Sequence, residues 1–406
     1  MSCHPRVTEW PPIIHTRLPS LTKPHATVLA LWSLGRGLAR SCALTAVSAL
    51  LATGLHRQEE TVRQQWRECC EAATAKRGPA RQALVVATCF VPRLAWGVDQ
   101  WEGTPWALAL EATTLGPRLT VLARRVVYRG GAIPVAWPVL AATAKPAWRR
   151  EELRRLRPGR RALPRAWTVM VLADRGLAAR WLLRRLTRLG WPPFWRSNTG
   201  GTFRPQGHVR AGPLKTLVPE PGTTGQGTGI ACKGRQRQRH CPLLACWEAD
   251  SKEPWVIRTD LPPEARTACG DGWRAWMEQG FKSTKRAGWQ WQRIRMTMPE
   301  RAARLWLAVA GATWWRLSVG GEADEAIPAS TVPEGTALLP RPLRRRRATR
   351  LRRVRVCRQG WPLSLVALLE QAPRPMGRFI PEPWPAVTVK RELALLLPDL
   401  AVPLAA

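Results

Sequence analysis

Leu108–Trp137 reads LALEATTLGPRLTVLARRVVYRGGAIPVAW. Three apolar runs, rich in β-branched residues, are parted by Gly116-Pro117 and by Arg129-Gly130-Gly131. Such punctuation predicts three short antiparallel strands. One acid, Glu111, falls in the middle of the first run. A buried carboxylate is costly unless something neutralises it, so its partner bears on function.

Working outward, the first strand begins at Trp106 and the third run continues as AIPVAWPVLA. PAWRREELRRLRPG follows as a charged helix, then AWTVMVLADRG as a buried strand that ends in Asp174 and a glycine. LAARWLLRRLTRLGW has the period of an amphipathic helix, and PFWRSN that of a short strand. The order β-β-β-α-β-α-β predicts an α/β fold, a mixed sheet covered by helices. In such a sheet the first strand is central and the strand bearing Asp174 pairs beside it.

Five segments follow from texture. Residues 1–95 form an N-terminal helical region, with two or three short helices between Pro24 and Arg77. It reads either as a small DNA-binding bundle or as a helical cap on the core. Residues 96–198 carry the strands and helices just described. Residues 199–268 are rich in Gly, Arg and Gln and read as a β-rich insertion, with a hairpin around Ala249–Pro254. Residues 269–319 hold a strong helix, Trp273–Ala287, and a second that Pro299 opens. Residues 320–406 are a Pro/Arg-rich tail with a dense basic run, Arg341–Arg358, expected to be partly disordered.

The chain has 406 residues, 45% of them hydrophobic, enough for a sizeable core. Lys and Arg number 64 against 28 Asp and Glu, a formal charge of +36. That excess repels itself unless a polyanion screens it, so nucleic acid is the default partner and an anionic membrane surface the lesser one; a basic protein of membrane surfaces or of RNA is a third reading of the chain. Ten cysteines lack any repeated CxxC pair, which fits a reducing cytoplasm. Cys232, His240, Cys241 and Cys246 lie close in sequence. They read as ordinary buried thiols or, in a spacing unlike the usual ones, as a zinc site. MSCHPRVTEWPPII lacks the plan of a signal peptide, and the uncharged stretch Ser41–Leu55 is too short to cross a bilayer. No membrane association is expected.

Three acids stand out by position: Glu111 in mid-strand, Asp174 at a strand end and Glu278 on the helix after the insertion. Converging carboxylates repel unless a hard cation neutralises them, and Mg²⁺ or Mn²⁺ suits oxygen ligands and phosphate substrates. A pair of such ions suits in-line phosphoryl displacement. Arg274, four residues before Glu278, and Lys285, seven after it, share its helical face. The alternative is a plain Arg–Glu pair on a wet surface.

These segments together resemble the bacterial insertion-sequence transposases of the DDE type. The similarity runs through Leu108–Trp137, VMVLADRGLAARWLLRRLTRLGWPPFWRSNTGGTFRP, PWVIRTDLPPE and WRAWMEQGFKSTKRAGWQWQRIRM, and spans most of residues 25–318. The resemblance implies a ribonuclease-H-like core interrupted by a β-rich insertion. It also implies metal-dependent cleavage and joining of a mobile element's ends, with two Mg²⁺ (or Mn²⁺). Asp174 matches the second catalytic Asp and Glu278 the third acid. Arg274 and Lys285 match the Arg and Lys of the Tyr-Arg-Glu-Lys helix signature. Two positions depart: Asp271 stands where the Tyr falls, and Glu111 where the first Asp falls. A ligand lengthened by one methylene predicts a weakened or inactive enzyme. The alternative is a noncatalytic DNA-binding protein that retains end recognition. Asp99 and Glu102, just upstream, are the substitutes for the first acid and sit in a predicted loop. Implied partners are double-stranded DNA, as terminal inverted repeats and target, and a second copy as a homodimer. The implied location is the bacterial cytoplasm, at the nucleoid. Trp289 and Trp291, just past the acid-bearing helix, are read either as rings that stack on bases of an opened duplex end or as core.

Overall fold

β1 (Trp106–Leu115), β2 (Leu119–Tyr128) and β3 (Gly131–Ala136) occupy the three runs expected to be strands, and a short β4 (Val139–Ala141) follows. The computed structural model describes residues 9–76, 82–103, 106–173, 177, 179–196, 201–214, 218–231, 239–247, 254–260, 289–326, 356–369, 377–381 and 391–394. Its helices are α1 (Trp10–Arg17), α2 (Lys23–Ala39), α3 (Leu44–Leu55), α4 (Glu59–Cys70), α5 (Val86–Asp99), α6 (Trp148–Arg161), α7 (Arg180–Arg188), α8 (Pro299–Ala326) and α9 (Val356–Leu369). The remaining strands are β5 (Val169–Ala173), β6 (Pro193–Arg196), β7 (Thr202–Pro205), β8 (Gly212–Pro213), β9 (Thr223–Ala231), β10 (Arg239–Trp247), β11 (Trp255–Thr259) and β12 (Arg391–Ala394). The chain is α/β, with a mixed sheet flanked by helices.

Two compact units share the chain. The first comprises Met1–Thr104, Thr113–Ala166 and Ala275–Pro383; the second comprises Pro105–Ala112, Trp167–Arg274 and Trp384–Ala406. These units do not coincide with the five segments set out from sequence, because contacts join segments distant in the chain.

In the first unit, α8 is the central element. Pro299 begins it where a missing N–H costs nothing. Helices α2, α4, α5 and α9 pack on α8, as do β3 and β4. The N-terminal helices are thus part of one core with the last two helices. Trp137, Trp289, Trp291 and Trp306 are fully buried there. Arginines are buried among them. Arg36 lies over the rings of Trp32 and Trp66, and Arg93 over those of Trp137 and Trp314. Arg93 Nη2 also donates to the Ala310 carbonyl at 2.7 Å. Ring faces and carbonyls thus replace part of the lost hydration. Burial still lowers both guanidinium pKa values, that of Arg93 to about 9.

The β2–β3 turn needs left-handed backbone at Arg129 (φ 40°) and Gly130 (φ 74°). That geometry matches the twist of the flanking strands, and at Arg129 it is unfavourable for a residue with a Cβ. The side chain compensates. Its guanidinium pairs with Asp324 at 2.6 Å and with Glu325, both on α8, and donates to the Ile380 carbonyl.

The described parts of the tail are packed. α8 runs through Gly320 and Gly321 to Ala326 rather than stopping at residue 319, and α9 lies against it. Phe379 is buried among Trp101, Tyr128 and Trp314. Its backbone pairs with Gln100 and Glu102. The rest of the basic run before Val356 lies outside the described residues.

In the second unit the strand order is β1-β5-β6-β11-β10-β9-β7-β8, with β12 also on β9. β1, β5 and β6 are parallel, whereas β6, β11, β10 and β9 are antiparallel. α7 packs on β6. The hairpin expected around Ala249–Pro254 is β10–β11, with Leu243 opposite Arg258 and Cys246 opposite Trp255. Through β11 and β6, the strands of residues 199–268 continue the sheet.

Among the described residues no single helix is long and apolar enough to cross a membrane; α2 and α3 pass together only as a pair bent by 106°.

Candidate catalytic site

Glu111 sits on β1 at a position 6% exposed. Along a strand, alternate side chains share a face, so Glu111 lies on the face of Ala107, Ala109 and Thr113. The two alanines leave room on that face, and Leu108 and Leu110 fill the other. Every residue of β5 is buried, as expected of a parallel strand covered on both sides. The β1–β5 register sets Trp106 opposite Val169, Ala109 opposite Leu172 and Leu110 opposite Ala173. Glu111 follows Leu110 in the chain, and Asp174 follows Ala173.

Asp174 itself, Glu278, Arg274, Lys285 and Asp271 lie outside the described residues. Among the described residues no group of three or more His, Cys, Asp and Glu is placed to hold a metal. Of the three expected carboxylates, Glu111 alone is among those residues.

Trp289 and Trp291 are core residues. Both are 0% exposed. The Trp289 indole donates to Thr313 Oγ1 at 3.0 Å, and Arg316 lies over its ring. Trp291 meets Trp306 edge to face at 5.3 Å. The reading that they stack on DNA bases gives way to its alternative. Gln290 between them has left-handed backbone (φ 55°), and a 3₁₀ turn follows, so both rings turn inward. The sequence around the two tryptophans gave no local signal of which reading holds.

The possible substitutes for Glu111 are engaged elsewhere. Asp99 is the last residue of α5, a helix where a loop was expected, and pairs with Arg17 at 2.7 Å. Glu102 pairs with Arg378 at 2.6 Å. The Cys/His cluster divides in the same way. His240 and Cys241 are neighbours on β10 and so point to opposite faces. His240 is exposed, and Cys241 is buried in an apolar cluster with Phe203, Leu243 and Val256. That is the setting of a structural thiol. Cys232 lies outside the described residues.

One buried pair escaped the sequence reading. Arg124 on β2 binds Glu152 on α6 at 2.5 Å, with both side chains under 5% exposed. Arg124 also donates to the Glu152 carbonyl at 3.1 Å. Its sequence signal was only an Arg-Arg dipeptide inside a strand pattern. No protein-family model matches the chain, and no curated protein sequence is similar to it.

Proposed function

We propose that the chain is a DNA transposase of the DDE type, built on a ribonuclease-H-like core, that cuts and joins the ends of its mobile element. One observation carries most weight: the parallel register in which Leu110 and Ala173 are partners, with a buried carboxylate next along β1. The proposal requires that this register continue by one residue, so that Glu111 and Asp174 face one point. The net charge of +36 supports a polyanionic substrate.

Glu111, Asp174 and Glu278 would hold two Mg²⁺ or Mn²⁺. A buried carboxylate oxygen is a suitable donor to a hard cation, and neutralisation by that cation lowers the cost of burying it. Bound ions of this kind supply Lewis acidity at the attacking and leaving oxygens of a phosphodiester. The chain's own contribution is placement. The strand backbone fixes Glu111 rigidly, and Arg274 and Lys285 would hold the phosphate backbone.

A second reading has specific support. Glu111 and Asp271 depart from the signature at two positions, so a DNA-binding protein without catalysis is the alternative. One experiment separates them: Mg²⁺-dependent cleavage of DNA carrying the inverted repeats that flank the gene. It uses the protein as it stands, a Glu111→Asp variant and a Glu278→Ala control. The Asp variant is expected to cut about 10- to 100-fold faster, the scale of a ~1 Å misplacement. Cleavage by the Glu278→Ala protein would overturn the site. Binding of ends without cleavage by any of the three would favour the second reading.

A further inference from the structure

We infer that the outer face of α6 is a binding surface for the phosphate backbone of duplex DNA. The helix reads WRREELRRLRPGRR, with seven arginines and two acids. The fold sorts them. Glu152 is 1% exposed and bound to Arg124, and Glu151 is also buried. Leu156 points inward with them. Arg149, Arg150, Arg154 and Arg161 are exposed. Glu152 is therefore turned into the protein, Glu151 meets Arg154 at 3.5 Å, and Arg149, Arg150 and Arg161 face solvent around that pair.

The geometry suits a linear polyanion. Arg150, Arg154 and Arg161 are spaced i, i+4 and i+11, so at ~100° per residue they fall in one narrow stripe. At ~1.5 Å per residue the stripe is about 16 Å long. A duplex presents on the order of ten phosphate charges over that length. Arg149, Arg150, Leu153 and Arg154 line an open depression at its start. A membrane is the poorer fit, because helices that lie in a bilayer surface present large apolar side chains beside their cations. Here Trp148 and Leu153 come nearest to one, and both are half-buried.

This surface rests on the nucleic-acid part of the proposed function and not on its chemistry, so its test is run in EDTA. A fluorescently labelled 30-base-pair duplex is titrated with the full chain and with Arg150→Ala/Arg154→Ala/Arg161→Ala. A control removes three exposed arginines elsewhere, Arg57→Ala/Arg67→Ala/Arg210→Ala. Both variants lose the same charge, so the comparison isolates location. The α6 variant should bind on the order of 10- to 100-fold more weakly at low salt. Its slope of log K against log salt should be shallower by roughly 2–3, one phosphate contact contributing about 0.9. The control should lose far less, and both should melt like the parent protein. Equal losses in the two variants would overturn the inference, as would an unchanged slope. So would a loss confined to single-stranded RNA or to anionic lipid vesicles. Failure of cleavage by the Glu111 variants would leave it standing.

Discussion

Single buried groups set the chemistry of this chain. Cys69 and Cys70 end α4, and Cys42 lies just before α3; all three thiols are buried. Burial pushes Cys42 and Cys69 up to about 11 and Cys70 to about 12, the last helped by the neighbouring Cys69. The fold thus favours the protonated thiols. Their contribution to stability is fully present below the unfolded value of 9.0 and is lost as pH rises through 11–12. Arg93, whose pKa burial lowers to about 9, acts in the opposite sense over the same range, and burial shifts Arg36 in the same direction, so a difference measurement is needed. Urea unfolding of Cys69→Ala/Cys70→Ala and of the parent should diverge between pH 9 and 12, the parent losing more stability. Parallel curves would show that the two thiols titrate alike in both states. At this scale the sequence displayed both Glu111 and the apolar run that buries it, but not what covers the β1 face.

Helix α8 crosses α9 at close range. A Cβ on Gly360 would lie 2.0 Å from the Arg316 carbonyl oxygen, and one on Gly320 would lie 2.2 Å from that of Val356. Both obstacles are helical backbone, which cannot swing aside. Gly360→Ala should therefore destabilise the protein by about 2–3 kcal/mol in urea unfolding. Gly54 on α3 is the matched control, since nothing lies within 4 Å of its would-be Cβ. There the change to Ala should stabilise by about 0.5–1 kcal/mol. Equal effects at the two sites would mean that the helices do not pack this closely. Gly320-Gly321 read in sequence as the end of a helix because glycine is a weak helix former. The crossing needs Gly320 for clearance, Gly321 leaves room for the Tyr128 hydroxyl, and packing against α9 offsets the poor propensity.

For the whole molecule, charge is the dominant property. A net +36 over a folded body opposes compaction, and a polyanion that binds the folded state relieves it. Duplex DNA should raise the melting temperature at ~20 mM salt, and the rise should fade towards 1 M as screening shortens to about 3 Å. A melting temperature indifferent to DNA at low salt would count against any nucleic-acid partner. The N-terminal helices contribute to this stability directly, since they share a core with α8 and α9.

Sequence by itself determined the succession of elements from Trp106 to Arg196 and the β10–β11 hairpin. Period-2 and period-3.6 patterns and turn residues are local, so each segment carries its own signal. It also displayed the excess of arginine and the acids at Glu111, Asp174 and Glu278. Tertiary structure decided which way side chains face. It sent Trp289 and Trp291 into the core, turned Glu152 of α6 inward and left Arg149, Arg150, Arg154 and Arg161 outside, and docked Phe379 against Trp101 and Tyr128. Those choices depend on partners that lie tens to hundreds of residues away, such as Arg124 for Glu152 and Thr313 for Trp289. No local window of sequence contains both members of such a pair.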